Sequence, residues 1–392
     1  MSNLAESYTL MAAGNNALRR GDSTAARDHF GQAVAANPSD VEAWLGLAIA
    51  FKDLKDRDRA LAAIDRALAL SPRSFRALIV RADLYAEEGD GRSASSFYAA
   101  ALRCAPPTAQ LSPHQLSEVR RAQQMCDHYT REYESYFQEK LAAKGFDPSH
   151  SSKRFARSLD LMMGRKKIYQ QQPSQYYFPE LPQIQFYERE MFPWLAEIER
   201  ATDDITAELE AVLKGPNAFR PYVEQDPSRP SREDTSMTNN PDWTAFFLWK
   251  GGKIVAEHAA RCPKTMRALE KVPSCNIPNR SPSILFSQLR AGARIPPHAG
   301  FINARLICHL PLIVPDGCGF RVGNETRTWE KGKALVFDDT MEHEAWNGSR
   351  ETRVILLFEI WRPELSAEER TLVSTLIHAT DTYRGKREEW TA

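Results

Sequence analysis

No stretch of the 392-residue chain reaches the roughly 18 consecutive apolar residues that a bilayer-spanning helix requires, so no transmembrane segment is expected. The opening Met-Ser-Asn-Leu-Ala-Glu-Ser lacks the basic start and apolar core of a secretory leader, which leaves the cytoplasm as the expected location. Charge of one sign is also lacking. The 51 basic and 51 acidic residues cancel, so a nucleic acid is not an expected partner. Cysteine is sparse, and the six (Cys104, Cys126, Cys262, Cys275, Cys308, Cys318) form no Cys-x-x-Cys pair. That excludes the usual zinc-knuckle and dithiol motifs and predicts reduced, mostly buried thiols.

What is present begins with a repeat. Pro38, Pro72 and Pro106 are spaced by 34 residues, as are Ala33, Ala67 and Ala101, and Ala26, Ala60 and Ala94. Asp22, Asp56 and Asp90 keep that register, and a bulky residue recurs at Phe30, Ile64 and Tyr98. Small residues at fixed helical positions let paired helices approach closely, while Trp44, Leu47 and Phe51 fill the seam to the next pair. This period and pattern resemble the tetratricopeptide repeat. Three repeats are expected over residues 1–107, with a concave surface that suits a protein or peptide partner.

Residues 108–165 read as a helical cap and linker. The spacing of Leu116, Val119, Met125, Tyr129, Tyr133 and Phe137 predicts one amphipathic helix over about 112–145. A stretch rich in Gln, Pro and aromatics from Gln171 predicts an extended, packed segment, and Pro193–Leu213 reads as one helix. The polar, proline-broken run Glu224–Pro241 suits either a loop over a site or a surface excursion. From Trp243 short β-rich segments continue to about 361. Ser366-Ala-Glu-Glu369 then opens a helix with a capping-box pattern.

The chemistry concentrates in Pro-Pro-His298-Ala-Gly300 and Asp-Asp-Thr-Met-Glu-His343, with Arg353 starting an apolar run ten residues on. Two imidazoles from separate strands can hold Fe(II) and leave positions open, and a nearby arginine can grip a dicarboxylate, as in 2-oxoglutarate-dependent oxygenases. In Arg305-Leu-Ile-Cys-His309, alternation puts Arg305, Ile307 and His309 on one face. Arg353, beside a buried strand, needs an anion, and either a cosubstrate carboxylate or Glu359 meets that need. Asp338 and Asp339 either supply a ligand or shape a turn, the turn being the expected role.

From about Tyr176 to Arg370 the chain resembles the aspartyl/asparaginyl β-hydroxylase family of Fe(II)/2-oxoglutarate oxygenases. The resemblance rests on Asp242-Trp243-Thr, Leu248-Trp249, Pro297-His298-Ala-Gly300, Asn324-Glu-Thr-Arg-Thr-Trp-Glu, Val336-Phe-Asp-Asp-Thr-Met-Glu-His343-Glu and Trp361-Arg-Pro-Glu-Leu. It implies a multidomain α + β protein in which an N-terminal tetratricopeptide-repeat array precedes a double-stranded β-helix (jelly-roll) catalytic domain. That domain is expected over 166–392, with its core at about 243–362. The resemblance also implies His298 and His343 as metal ligands and Fe(II), 2-oxoglutarate and O2 as cofactor and cosubstrates. Arg353, Ser287 and His309 are the implied 2-oxoglutarate contacts, and Arg305 and Trp243 the substrate-side residues. Gly300 replaces the carboxylate of a His-x-Asp motif, as in hydroxylases of this family, which leaves that position to water or a nearby acid. Ile307 stands where close relatives have a second arginine. The expected substrate is an aspartyl or asparaginyl group, peptidyl, free or carrier-bound. The rivals are a lipid acyl chain or other small molecule, and a non-catalytic repeat scaffold with a relic β domain.

Overall fold

A computed structural model describes residues 2–215, 219–225 and 237–383. The run 224–241, read as a loop, falls largely outside the described residues. The chain divides into two compact units, Met1–Leu159 and Asp160–Ala392.

The first unit is helical. Helices α1 (Ser2–Arg19), α2 (Ser23–Ala36), α3 (Val41–Asp53), α4 (Arg57–Leu70), α5 (Phe75–Glu88) and α6 (Gly91–Cys104) form three consecutive antiparallel pairs. The recurring aspartates explain the register. Asp22, Asp56 and Asp90 are the N-caps of α2, α4 and α6, each accepting a backbone N–H from the residue three positions on. Such caps stabilise a helix by about 1 kcal/mol each. The residue before each aspartate must adopt positive φ: Gly21 at 76°, Lys55 at 61° and Gly89 at 83°. Two of the three repeats use glycine for this, the residue that accepts such a turn without steric cost.

Small residues do set the close approach. A Cβ at Gly14 would lie 2.8 Å from the Phe30 ring, and one at Gly46 only 2.5 Å. Phe30 is thus wedged between two glycines, fully buried. Helix α7 (Pro113–Ala142) caps the array: Val119, Ala122, Met125 and Tyr129 pack on the core of the third pair. Its second half leaves Tyr133 and Tyr136 exposed, so only the first half serves as a cap.

The second unit is built on β structure. Its described residues form β1 (Arg220–Pro221), β2 (Trp243–Lys250), β3 (Lys253–Ile254), β4 (Ile284–Leu289), β5 (Arg294–His298), β6 (Arg305–Ile313), β7 (Cys318–Val322), β8 (Glu325–Arg327), β9 (Leu335–Phe337), β10 (His343–Asn347) and β11 (Arg353–Trp361). A seven-stranded antiparallel sheet runs β1-β2-β4-β11-β6-β9, with β3 on β2, and a four-stranded sheet runs β5-β10-β7-β8. Inward residues of both sheets, including Leu285, Ile307 and Leu357 against Ile295, Phe320 and Val322, share one apolar core.

The opposite face of the large sheet is covered by the helices Leu195–Arg200 and Thr202–Lys214. The single helix expected over Pro193–Leu213 is therefore broken. Thr202 turns its hydroxyl onto the Glu199 carbonyl, and the chain restarts after Ala201. Covering on both faces explains why β11 reads as a nearly continuous apolar run, interrupted by Glu359. The last described helix, Ala367–Thr382, opens with the expected Ser366/Glu369 capping box.

Candidate active site

His298 and His343 are directly paired residues on neighbouring antiparallel strands, β5 and β10. Cross-strand partners project to the same face, and the two imidazole centroids are 4.1 Å apart. Each ring has its Nδ1 on a carbonyl two residues back, His298 on Pro296 O at 2.8 Å and His343 on Met341 O at 3.0 Å. A carbonyl only accepts, so Nδ1 carries the proton and each Nε2 keeps a free lone pair. Burial lowers the pKa of both rings, and His343, further lowered by His298, lies well below the ordinary 6.5. His298 is solvent-exposed and His343 buried, so the pKa of His298 is lowered and that of His343 is lowered well below the ordinary value. The result is two neutral, pre-oriented nitrogen donors, the form in which imidazole binds a metal.

Gly300 has a structural reason. A Cβ there would sit 2.1 Å from Asp339 Oδ2, so the Asp339 carboxylate takes the space a side chain would need. Asp339 is in turn held by Arg305, Nη2 to Oδ2 at 3.1 Å, and burial pushes its pKa up to about 6. The neighbouring Asp338 is wholly structural. It accepts from Thr340 N and Oγ1, Gln171 Nε2 and Arg362 Nη2. The two aspartates therefore differ: Asp338 shapes the turn, and Asp339 packs against Gly300, two residues beyond His298, and pairs with Arg305. Among the described residues no group of three His, Cys, Asp or Glu side chains is arranged to hold a metal ion.

Arg353 begins β11 and is buried at 1% exposure. Its guanidinium lies 4.7 Å from the Trp329 ring centroid, and its Nε and Nη1 have no hydrogen-bond partner. Burial drags its pKa down to about 10, which still leaves it charged near neutrality. Glu359 is not its partner. That carboxylate pairs with Arg305 Nε at 3.3 Å and accepts from Ser281 Oγ and from Ser283 N. An unpaired buried cation is costly, so Arg353 has the chemistry to pair with an anion. Around it, Trp329 stacks on Phe320 at 5.4 Å, and His309 touches Phe320 and Phe337. His309 Nδ1 and Trp329 Nε1 are likewise buried without partners, and burial, aided by Arg353, keeps His309 neutral.

Ser287 lies on β4 beside β11, on the face that carries Arg353, and its Oγ accepts from Trp243 Nε1 at 3.1 Å. Trp243 stacks on Tyr222 at 4.1 Å and reaches within 6.3 Å of His298. Six of the seven residues singled out from sequence thus line one interior, from Arg353 through Ser287 and His309 to Trp243 and the histidines. Arg305, the other implied substrate-side residue, is engaged by two carboxylates. Burial alone would lower its pKa, but Asp339 and Glu359 raise it. Sequence reading passed over Trp329 and Tyr222 as site residues. Their only signals were that Trp329 closes the Asn324–Glu330 motif and that Tyr222 precedes a proline-rich run.

The second unit is thus a two-sheet antiparallel domain that carries two neighbouring imidazoles and a buried arginine with two unpartnered nitrogens. The chain carries an aspartyl/asparaginyl β-hydroxylase family domain behind tetratricopeptide repeats: residues 199–363 match the family described as Aspartyl/Asparaginyl beta-hydroxylase, and 11–56 and 48–109 match Tetratricopeptide repeat. The Homo sapiens aspartyl/asparaginyl beta-hydroxylase is 40% identical over 139 residues, covering 35% of this chain and 18% of that protein. The Rhizobium tropici ornithine lipid ester-linked acyl 2-hydroxylase is 37% identical over 180 residues, 45% of this chain and 60% of that one. Aspartate beta-hydroxylase domain-containing protein 2 of Homo sapiens is 32% identical over 204 residues, 51% and 53%. The chain thus spans less than two thirds of these relatives.

Proposed function

We propose that the protein is an Fe(II)- and 2-oxoglutarate-dependent hydroxylase whose sheets form a double-stranded β-helix. The carrying observations are a pair of neighbouring imidazoles whose Nε2 lone pairs are free and, in the same domain, an arginine with two buried nitrogens that have no hydrogen-bond partner. His298 and His343 would hold the iron, and Arg353, with Ser287 and His309, would hold the cosubstrate carboxylates. Ferrous iron with 2-oxoglutarate and O2 supplies the oxidising power to insert oxygen into a C–H bond, releasing succinate and CO2. The chain's own contribution is orientation and exclusion of water. The Nδ1–carbonyl bonds fix ring rotation, the Arg353 fork fixes the diacid, and Phe320, Phe337 and Trp329 keep the interior dry.

The family resemblance supports, as substrate, the β-carbon of an aspartyl or asparaginyl group, peptidyl, free or carrier-bound, with the repeats recruiting a protein or peptide. The acyl-hydroxylase relative favours a second reading, in which the oxidised carbon belongs to a lipid acyl chain. The repeats argue for the first, because such arrays ordinarily bind polypeptide. Anaerobic titration of Fe(II)-loaded protein with 2-oxoglutarate is expected to give a weak visible charge-transfer band, absent in His298→Ala and His343→Ala. Iron-loaded protein that binds no 2-oxoglutarate would overturn the reading.

A further inference from the structure

The stretch that follows the helical cap concentrates both charge and exposed apolar surface. The whole chain is neutral, with 51 basic and 51 acidic residues, yet residues 153–168 hold six basic side chains against one acid. The bases are Lys153, Arg154, Arg157, Arg165, Lys166 and Lys167, and the acid is Asp160. Asp160 is already engaged, Oδ1 with Arg165 Nε at 3.1 Å and Oδ2 with Lys166 Nζ at 2.8 Å.

Helix α8 (Lys153–Met162) carries the first part of this stretch. Ser152 caps its start, Oγ accepting from Phe155 N at 3.3 Å. Phe155, Leu159 and Met162 recur at i, i+4 and i+7 and share one side, while Lys153, Arg154 and Arg157 share the other. Leu161 is the exception, standing among the basic residues. No residue of α8 is buried. Phe155 is 41% exposed, Met162 54%, and Ile168, past the turn at Gly164, 77%. A helix this short is marginal in water unless its apolar side packs on something. Phe146 meets that side edge-on, its ring 5.1 Å from that of Phe155, and leaves most of it open.

Charge complementarity says what covers it. An apolar strip flanked by excess positive charge fits a layer of anionic headgroups over acyl chains, where the apolar tips enter and the basic stems reach outward. The pattern also outruns the helix. Arg165-Lys-Lys-Ile168 repeats charge and apolar tip in non-helical chain, which a flat surface accommodates and a groove shaped to a helix does not. No described helix is long and apolar enough to cross a membrane, so such contact lies along the surface.

We propose that α8 and the turn after it bind the surface of an anionic lipid bilayer, with Phe155, Met162 and Ile168 entering the acyl boundary. The proposal stands apart from the hydroxylase reading, and either can fail alone.

The test is co-sedimentation of the full chain with vesicles of phosphatidylcholine and phosphatidylglycerol in equal parts, against vesicles of phosphatidylcholine alone. Binding is expected to the first and to be at least about tenfold weaker to the second. Replacing Lys153, Arg154 and Lys167 by Gln together should weaken binding about 100-fold, and Phe155→Ser with Met162→Ser about tenfold. Both variants should melt as wild type does, because α8 buries no side chain. No binding to the anionic vesicles, equal binding to both kinds, or wild-type binding by either variant overturns the proposal. Stronger retention on immobilised poly-L-glutamate than on anionic vesicles also overturns it, giving the face to an acidic protein instead.

Discussion

The carboxylate of Asp339 occupies the volume that a side chain at Gly300 would claim, with only 2.1 Å between a Cβ there and Oδ2. Alanine at 300 must therefore push Asp339 off Arg305. Gly300→Ala is expected to lose about 1–3 kcal/mol, the range for overpacking a buried site, measured by denaturant titration. Gly300→Asp should bring no third metal ligand, because its carboxylate would have to share space with another. Wild-type stability in Gly300→Ala would mean that Asp339 moves freely.

Arg353 gives the opposite sign. Replacing an unpaired buried cation by an apolar side chain of similar length removes a desolvation penalty. Arg353→Met is expected to melt higher than wild type without ligand, by on the order of 1–3 kcal/mol. Wild type should gain stability on adding 2-oxoglutarate, whereas the variant should not. A variant that melts lower than wild type and still responds to 2-oxoglutarate contradicts the assignment.

Metal binding should tolerate acid. Both imidazoles have pKa values lowered by burial, His343 well below 6.5, so protons begin to compete with metal only below the ordinary imidazole range. Affinity for Fe(II) or Mn(II) is expected to be flat from neutrality down to about that value and to fall beneath it. A decline already under way above pH 7 would mean that the rings are more solvated than their packing indicates.

Much of this was legible because it was periodic or local. The 34-residue register and the Ser366 capping box announce themselves in sequence, and so do the alternation around His309 and the two histidine motifs. What escaped depended on pairing across distance. The partner of Asp339 is fixed by how β6 and the turn before β10 meet, so position 339 read as a turn residue and its pairing with Arg305 was not foreseen. That Arg305 is paired was hidden because Glu359, which lies opposite Ile307, is brought diagonally next to it only by the β6–β11 ladder. The break at Ala201 hid within an apolar period that continues across it, since Ile198, Ile205 and Leu209 all remain buried.

In the repeat unit, Phe30 lies in contact range of both Gly14 and Gly46. Gly46→Ala puts a methyl inside the ring's envelope and is expected to cost about 1–3 kcal/mol. Phe30→Leu in the same chain should recover part of the loss by vacating space. Thermal unfolding followed by circular dichroism checks both, and a double variant no better than Gly46→Ala would place the strain elsewhere.

Because His298 and His343 sit opposite each other in one ladder, the gap between their rings is set by backbone hydrogen bonding rather than by side-chain choice. A slip of a single residue between β5 and β10 would turn one ring out of the interior. If the pair holds an ion as proposed, ion uptake would also gauge strand alignment, and a chain folded out of register would reveal itself by failing to take up the ion.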